Sequence, residues 1–400
     1  MSLQTVRLQD LCISISDGDH QAPPKSNSGI PFITISNITS MNQLDFSSSM
    51  FVPRWYYEKL DIKRKAQKND ILYSVVGSFG IPVFMKNSIE FVFQRHIALL
   101  RPNIEKIVPQ YLYYKILDRA FYMMADSLAI GAAQRTITLS SLRNIEINIP
   151  EVEQQQSIVD ILSAYDDLIE NNQKQIKLLE ETVQRLYKEW FIDLRFPGHG
   201  NGEIIDGLPL GWHEDTIDTK VNLLNGFAFK SKDLKETGLF KLVTIKNVQD
   251  GYFEGKNVKY LSKIPDKMPR HCHLDEGDLL LSLTGNVGRV CIVEGNDFLL
   301  NQRVAKISSE TPAYTYCLFR SNELLVKINN IANGAAQQNV SPIRIGQIKH
   351  LFPNDKLIMD FERVSGPILK RVVLMKKNII LLEEARDRLL PKLMNGEIEV

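Results

Sequence analysis

Apolar residues along positions 1–150 come in short runs, many of them β-branched or aromatic. GIPFITISNI (29–38) and DILYSVVGSFGIPVF (70–84) are examples, and Gly, Pro and Asn separate the runs. That texture predicts strands of an antiparallel or mixed sheet. Short helices fit around YLYYKILDRAFYMMADSLA (111–129). After Pro150 the rhythm changes, and no further proline occurs until Pro197. Tyr165, Leu168/Ile169, Asn172, Ile176, Leu179, Val183, Leu186 and Trp190 then follow one another at steps of three and four. Such a seam predicts a long heptad helix. Both textures return later. GDLLLSLTGNVGRVCIV (277–293) reads as strands, and Ile368, Val372, Met375, Ile379, Leu382, Arg386, Leu389 and Leu393 form a second seam. Each seam admits one non-aliphatic member, Asn172 or Arg386, a device that fixes register at a cost in stability.

The recurrence extends to residue identity. AIGAAQRTITLSSLRNIEINIP (129–150) and ANGAAQQNVSPIRIGQIKHLFP (332–353), 203 residues apart, agree at 7 of 22 positions, including GAAQ. At the same offset, IKLLEETVQRLYKEWF (176–191) and IILLEEARDRLLPKLM (379–394) agree at 7 of 16. NDILYSVVGSFG (69–80) and GDLLLSLTGNVG (277–288) agree at 5 of 12 with offset 208, and ITISNI (33–38) meets VTIKNV (243–248) at 210. Four matches in one order with slowly drifting offsets mean tandem duplication with small loop insertions.

The expected fold is therefore α+β, a duplicated unit made of a β-rich body followed by a long helix. The segments are a first body over 1–150, a helix over 151–193, a linker and second body over 194–353, and a second helix over 354–400. The glycine-rich stretch 195–212, with Pro197 and Pro209, reads as the linker. A surface helix lying on its own body would also carry an apolar stripe. Two matched seams favour mutual pairing as an antiparallel coiled coil, a dumbbell with approximate two-fold symmetry. A helix over 154–190 would span ~55 Å at about 1.5 Å per residue. That length suits a ligand with its own repeat, such as half-sites about one turn apart on B-DNA, ~34–36 Å centre to centre.

The 400 residues are 44% hydrophobic and 24% charged, the composition of a core-forming protein. Lys+Arg is 48 against Asp+Glu 47, so a strongly basic coat is excluded and clustering of charge has to be read instead. By segment, 1–150 carries +4 and 194–353 carries +2, whereas helix 151–193 carries −6 and 354–400 carries +1. Both bodies lean positive, and the acidic helix suits a protein contact better than a DNA contact. No apolar run reaches membrane-span length, MSLQTVRLQD does not read as a signal peptide, and the four cysteines show no CxxC spacing; a reduced cytoplasmic protein is expected.

No P-loop, HExxH, GxSxG or Asn-Pro-Pro-aromatic signature is found in the sequence, and no catalytic constellation emerges. His271-Cys272-His273 lacks the spaced partners of a tetrahedral metal site and reads as a polar loop. Candidate DNA contacts are located more specifically. RWYYEKLDIKRKAQK (54–68) and KNVKYLSKIPDKMPRHCH (256–273) interleave bases with aromatics, which suits phosphate contact and stacking; they supply Arg54, Lys63, Arg64, Lys65, Lys259 and Arg270. Phe93-Gln94-Arg95 and Asn301-Gln302-Arg303 correspond at offset 208 and offer Gln94, Arg95, Gln302 and Arg303, side chains that bond bidentately to adenine and guanine edges. They could equally be structural hydrogen-bonders at a strand end. His20 and Lys25 in SDGDHQAPPK, Lys230 and Lys246, and Gln134, Arg135, Gln337 and Gln338 beside the GAAQ repeats complete the set. Whether the small GAAQ residues approach DNA or a helix is open at this point.

Taken in order, GIPFITISNI (29–38), NDILYSVVGSFG (69–80), LRNIEINIPEVEQQQSIVDILSAYDDLIE (142–170), WFIDLRFPG (190–198), LPLGW (208–212), GFAFKSKDL (226–234) and LLPKLMNGEIEV (389–400) resemble the specificity (S) subunit of type I restriction-modification systems. The resemblance covers nearly the whole chain. It implies that each body is a target recognition domain for one half of a split, asymmetric double-stranded DNA sequence. It implies that the helices set the half-site spacing and dock two modification (methyltransferase) subunits, with restriction/translocase subunits joining the assembly. S-adenosylmethionine, ATP and Mg would sit on those partners, and this chain would hold no cofactor and catalyse nothing. One departure is that Glu153-Gln154-Gln155 has no counterpart in Lys356-Leu357-Ile358. The alternatives are a coiled-coil scaffold whose β bodies bind proteins, and an enzyme with an unrecognised site.

Overall fold

A computed structural model describes residues 3–39, 42–132, 134–198, 204–205, 208–334 and 338–400. It contains two compact units, residues 1–167 with 382–400, and residues 168–381. Each unit therefore takes in one stretch of both long helices.

In the first unit, strands Cys12–Asp17, Ile97–Pro102, Ile71–Ser74 and Pro82–Phe84 form an antiparallel sheet. A smaller sheet orders Met50–Val52, Ile30–Ile33 and Val92–Phe93, the last pair parallel. Gln4–Arg7 pairs with Glu146–Ile149. The second unit repeats this plan. Asn222–Asn225, Val304–Ser308, Leu279–Ser282 and Val290–Ile292 make the larger sheet. Lys259–Leu261, Phe240–Val243, Phe298–Leu300 and His273–Leu274 make the smaller one, and His213–Thr216 pairs with Lys349–Phe352. Order, pairing and direction agree throughout, except that the smaller sheet of the second unit gains His273–Leu274 as a fourth strand, so the duplication holds in structure as in sequence.

The unbroken apolar runs follow from layering. Successive side chains of a strand point to opposite faces. Ile71 and Tyr73 face a core shared with the helices Pro109–Leu117 and Arg119–Ser127, while Leu72 faces a core shared with Ile33 and Phe93 of the smaller sheet. Leu279 and Leu281 likewise face the helical side, with Leu280 toward the other sheet. Both faces of these strands are buried, so alternation with polar residues is absent. The segment 111–129 is two helices rather than one, because Asp118 is extended (φ −61°, ψ 137°). Ser321 makes the equivalent break and caps Asn322–Ile331 through the Leu324 amide.

The long helices run Val152–Tyr187, continued by a π turn Lys188–Ile192, and Asp355–Met394. In the second unit Ile176 packs on Val372 and Met375, flanked by Leu179 and Ile379. Farther along, Tyr187 and Trp190 meet Phe361 edge-on. Rising numbers on one helix meet falling numbers on the other, which is antiparallel pairing. In the first unit Ile158, Val159 and Leu162 share a core with Leu390, Leu393 and Met394, and Arg386 Nη1 donates to Asp166 Oδ1 at 2.7 Å. The seam departs from the heptad reading in detail. Leu168 is 51% exposed and Ile169, at 6%, takes its place. Val183 and Trp190 are buried but Tyr187 is the buried residue between them, while Leu186 is half-buried. Asn172, Leu382 and Leu389 are half-buried as well, and Leu390 lies deeper than Leu389. A helix turning at 3.6 residues drifts off a strict seven-residue repeat, and neighbouring positions take over the contact. Pro367 and Pro391 lie within the second helix, which continues through both.

Candidate nucleic-acid interface

The residues that repeat between the copies do structural work in each unit. Asn37 and Asn247, the asparagines of ITISNI and VTIKNV, are buried. Asn37 accepts from the Thr34 amide at 2.9 Å and donates to Asp45 O at 3.0 Å. Asn247 accepts from Thr244 and donates to Glu254 O, both at 2.7 Å. Ser74 and Ser282 accept from the amides of Ile81 and Arg289, closing the glycine turns 76–80 and 284–288. Gly80 (φ +85°) and Gly288 (φ +86°) sit where a Cβ would come within 2.7 Å of Tyr122 or Leu325. Asp70 takes a two-pronged bond from Arg101 at 3.0 and 2.8 Å, and Asp278 accepts from Lys306 at 2.6 Å.

This scaffold presents a short turn at Gln94–His96 and its copy at Asn301–Arg303. Gln94 N donates to Ile33 O at 2.9 Å, Arg95 N to Asp19 O at 3.0 Å, Ile97 N to Gln94 O at 3.0 Å, and His96 O accepts from Val75 N at 2.9 Å. In the second unit Asn301 N donates to Val243 O at 3.2 Å, Gln302 N to Phe227 O at 3.0 Å, Val304 N to Asn301 O at 2.9 Å, and Arg303 O accepts from Leu283 N at 3.1 Å. The hydrogen bonds thus correct the offset-208 alignment of the two tripeptides. Gln94 matches Asn301, Arg95 matches Gln302 and His96 matches Arg303, one residue out of the earlier phase. Gly18 and Gly226 lie against these turns so closely that a Cβ would stand 2.1 Å from Phe93 O or Asn301 O.

The segments that flank the GAAQ repeats close on the same region. Thr136 bridges to Ile130 and Val76, and Asn339 to Asn333 and Thr284. Gly77 N donates to Arg135 O at 3.2 Å, and Gly285 N to Gln338 O at 2.9 Å. The residues that follow the repeats thus close on the glycine turn of the same body, while Ala133, Ala335 and Ala336 lie outside the described residues. Gln337 lies outside the described residues. Each unit gathers one loop cluster from distant parts of the chain, Asp17–His20, Gln94–His96 and Gln134 in one, and Phe227, Asn301–Arg303 and Gln338 in the other.

Part of the expected contact set is already engaged. His20 Nε2 lies 2.6 Å from Asp17, and Arg64 lies 3.7 Å from the same carboxylate. Arg54 bonds Glu90 at 2.8 Å, Arg135 bonds Asp126 at 2.9 Å, and Lys259 pairs with Glu236. Lys65 donates to Glu58 O at 3.0 Å and lies over the Tyr57 ring. Tyr56 donates to Asp19, and its hydroxyl is pushed up to about 12, mainly by burial and then by that carboxylate. In the second basic stretch His271 lies 2.8 Å from Asn225 O, and the Cys272 thiol is raised by burial. Among the described residues no cluster of three or more His, Cys, Asp or Glu is arranged to hold a metal. The side chains of Lys25, Lys63, Gln94, Arg95, Gln134, Lys230, Lys246, Arg270, Gln302, Arg303 and Gln338 make no hydrogen bond or ion pair within the described residues. His96 was not singled out from the sequence; burial first, and Arg95 second, lower its pKa and favour the neutral ring, with one donor and one acceptor.

Gln155 of the EQQ segment has a defined place. Buried, it accepts from Val108 N and donates to Pro150 O, both at 2.9 Å, tying the long helix to the start of Pro109–Leu117. In the second unit Glu362 takes the matching role, accepting from Ala313 and Tyr314 amides at 3.0 and 3.1 Å. The missing EQQ counterpart is thus supplied one helical turn later.

Residues 2–181 match the family model described as type I restriction modification DNA specificity domain. The chain is 26% identical to the type I restriction enzyme MjaIX specificity subunit of Methanocaldococcus jannaschii over 308 residues, covering 74% of this chain and 70% of that one. It is 22% identical to the HindI specificity subunit of Haemophilus influenzae, covering 84% and 88%. A crystal structure of the S subunit of a type I restriction-modification system from M. genitalium superposes with TM-score 0.59 at 17% identity, covering 98% of this chain and 96% of that one, which shows a shared fold. Residues 2–181 thus match a type I restriction modification DNA specificity domain, and over most of its length the chain is similar to specificity subunits of type I restriction-modification systems. No helix among the described residues is long and apolar enough to cross a membrane.

Proposed function

We propose that each body reads one half of a bipartite, asymmetric DNA target, and that the paired helices set the gap and dock two methyltransferase subunits and the restriction subunits. The observation that carries this reading is the duplication of one clamped loop cluster with different polar side chains, exposed or half-buried, in each copy. Gln-Arg-His in one body and Asn-Gln-Arg in the other are base-reading chemistry on a common frame. Rigid placement of such groups lowers the ordering cost of recognition. The chain itself is non-catalytic and holds no cofactor. S-adenosylmethionine, ATP and Mg act on the partner subunits, in the cytoplasm. The net −6 of residues 151–193 supports a protein partner for the first helix rather than DNA.

The test is to express the chain with the methyltransferase subunit of its own system in a methylation-free host and to map modified adenines by long-read sequencing. A two-part motif with a fixed gap is expected. A correctly assembled complex that leaves no sequence-dependent modification and retains no specific duplex would favour the protein-binding scaffold instead.

A further inference from the structure

The register between the two turns puts Arg95 and Gln302 at the same place in their respective bodies. Both donate their backbone amide to the residue after the packed glycine, Asp19 beyond Gly18 and Phe227 beyond Gly226. Both are exposed, and neither side chain has a hydrogen bond or ion pair among the described residues. The flanking peptides are held on three sides, by the smaller sheet through Ile33 or Val243, by the glycine turn through Val75 or Leu283, and by the first strand's exit. The backbone therefore fixes the origin and direction of an equivalent, exposed and uncommitted side chain in each copy. What differs is the chemistry at its end. The Arg guanidinium offers a planar pair of donors that fits guanine O6 and N7, and the Gln amide offers one donor and one acceptor that fits adenine N6 and N7.

We infer that Arg95 and Gln302 are equivalent specificity-determining residues, Arg95 selecting a guanine in one half-site and Gln302 an adenine at the corresponding position of the other. The inference rests on the DNA-reading function proposed above. It separates these two residues from the basic side chains that already have partners, such as Arg54, Arg64 and Arg135, which hold the loops in place. It also explains an economy of the duplication. The bodies retain the frame residues Ser74/Ser282, Asn37/Asn247 and Gly18/Gly226, and diverge at the side chain that the frame presents.

The test uses the complete complex with its methyltransferase subunits. Wild type, Arg95→Gln, Arg95→Lys, Arg95→Ala and Gln302→Arg are compared by binding to duplexes in which each base pair of the mapped target is replaced in turn, alongside methylation mapping. For Arg95→Ala the expected result is loss of discrimination at one G·C pair of one half-site, roughly tenfold or more, with the other positions unchanged. Arg95→Gln is expected to move preference at that pair from guanine to adenine, and Gln302→Arg to move it from adenine to guanine at the matching pair of the other half. Arg95→Lys distinguishes base reading from a phosphate contact, since Lys keeps the charge and loses the planar fork. Equal affinity loss at every pair, or full function of Arg95→Lys with an unchanged motif, would overturn the assignment. If the wild-type complex itself bound all duplexes alike, the DNA-reading function would fail and this assignment with it.

Discussion

Gly18 and Gly226 show how a residue can matter through the atom it lacks. Neither needs a left-handed backbone; each needs empty space, because a carbonyl oxygen stands 2.1 Å from where a Cβ would be. Gly18→Ala is expected to push the Gln94 turn away, costing about 2 kcal/mol by forced overpacking. Thermal unfolding would register the cost and, on the function proposed above, DNA binding would weaken at one half-site only. A Gly18→Ala protein as stable as wild type would contradict the close packing. Asp70 gives a second case, since its carboxylate is 2% exposed against a partly buried Arg101. Asp70→Ala leaves that cation uncompensated and is expected to cost about 3 kcal/mol, read as a lower denaturant midpoint. At this scale the sequence showed which residues recur but not why. Asn37, Ser74 and Asp70 were visible as repeats, yet their partners lie in other strands and loops, so frame and reader could not be separated. The phase error at Gln94/Asn301 has the same origin, because identity alone cannot place a one-residue shift that a backbone hydrogen bond fixes.

The helices were legible from their periodicity, and the exchange of Leu168 for Ile169 reflects the drift of a 3.6-residue turn. Their buried charges were not legible. Lys376 lies 3.4 Å from Glu180 and 3.1 Å from Glu294, all three nearly buried. Burial raises the Glu294 carboxyl, the cation of Lys376 opposing that rise, and the two carboxylates raise the Lys376 ammonium against its own desolvation. Lys376→Met removes the cation and leaves buried carboxylates facing each other. The folded-state pKa of Glu294 then rises further above its unfolded value. Stability linked to such a group is present at pH below the unfolded pKa and lost as pH rises through the folded one. The variant is therefore expected to lose about 3 kcal/mol at pH 8 and to recover part of it on acidification toward pH 5. Denaturant unfolding at the two pH values measures this, and a pH-independent deficit would exclude the charge explanation. Gln155→Leu keeps the bulk but strands the Val108 amide and the Pro150 carbonyl, and is expected to cost about 2 kcal/mol.

Across the whole chain, the duplication was legible because four separate identities recur in order. Less legible was the composition of the units. Nothing in a heptad pattern says that Leu390, Leu393 and Met394 complete the core that contains Tyr111 and Leu142, or that Lys115 donates to Met394 O at 3.1 Å. A repeat whose last helix is needed by its first body should respond to changes in that helix as one molecule. This bears on the spacer role proposed for the helix pair. Removing one heptad from each helix at facing levels preserves the seam phase, because seven residues return the same face to the partner. It shortens the pair by about 10 Å, or roughly three base pairs of duplex. The turns at Gln94–His96 and Asn301–Arg303 are untouched, so the bases read in each half are expected to stay the same. Methylation mapping of the doubly shortened chain, assembled with its methyltransferase subunits, should therefore return both half-motifs with a gap changed by roughly three base pairs. An unaltered gap would separate the helices from spacing, and altered half-motifs with the old gap would place base selection in the helices rather than in the loop clusters.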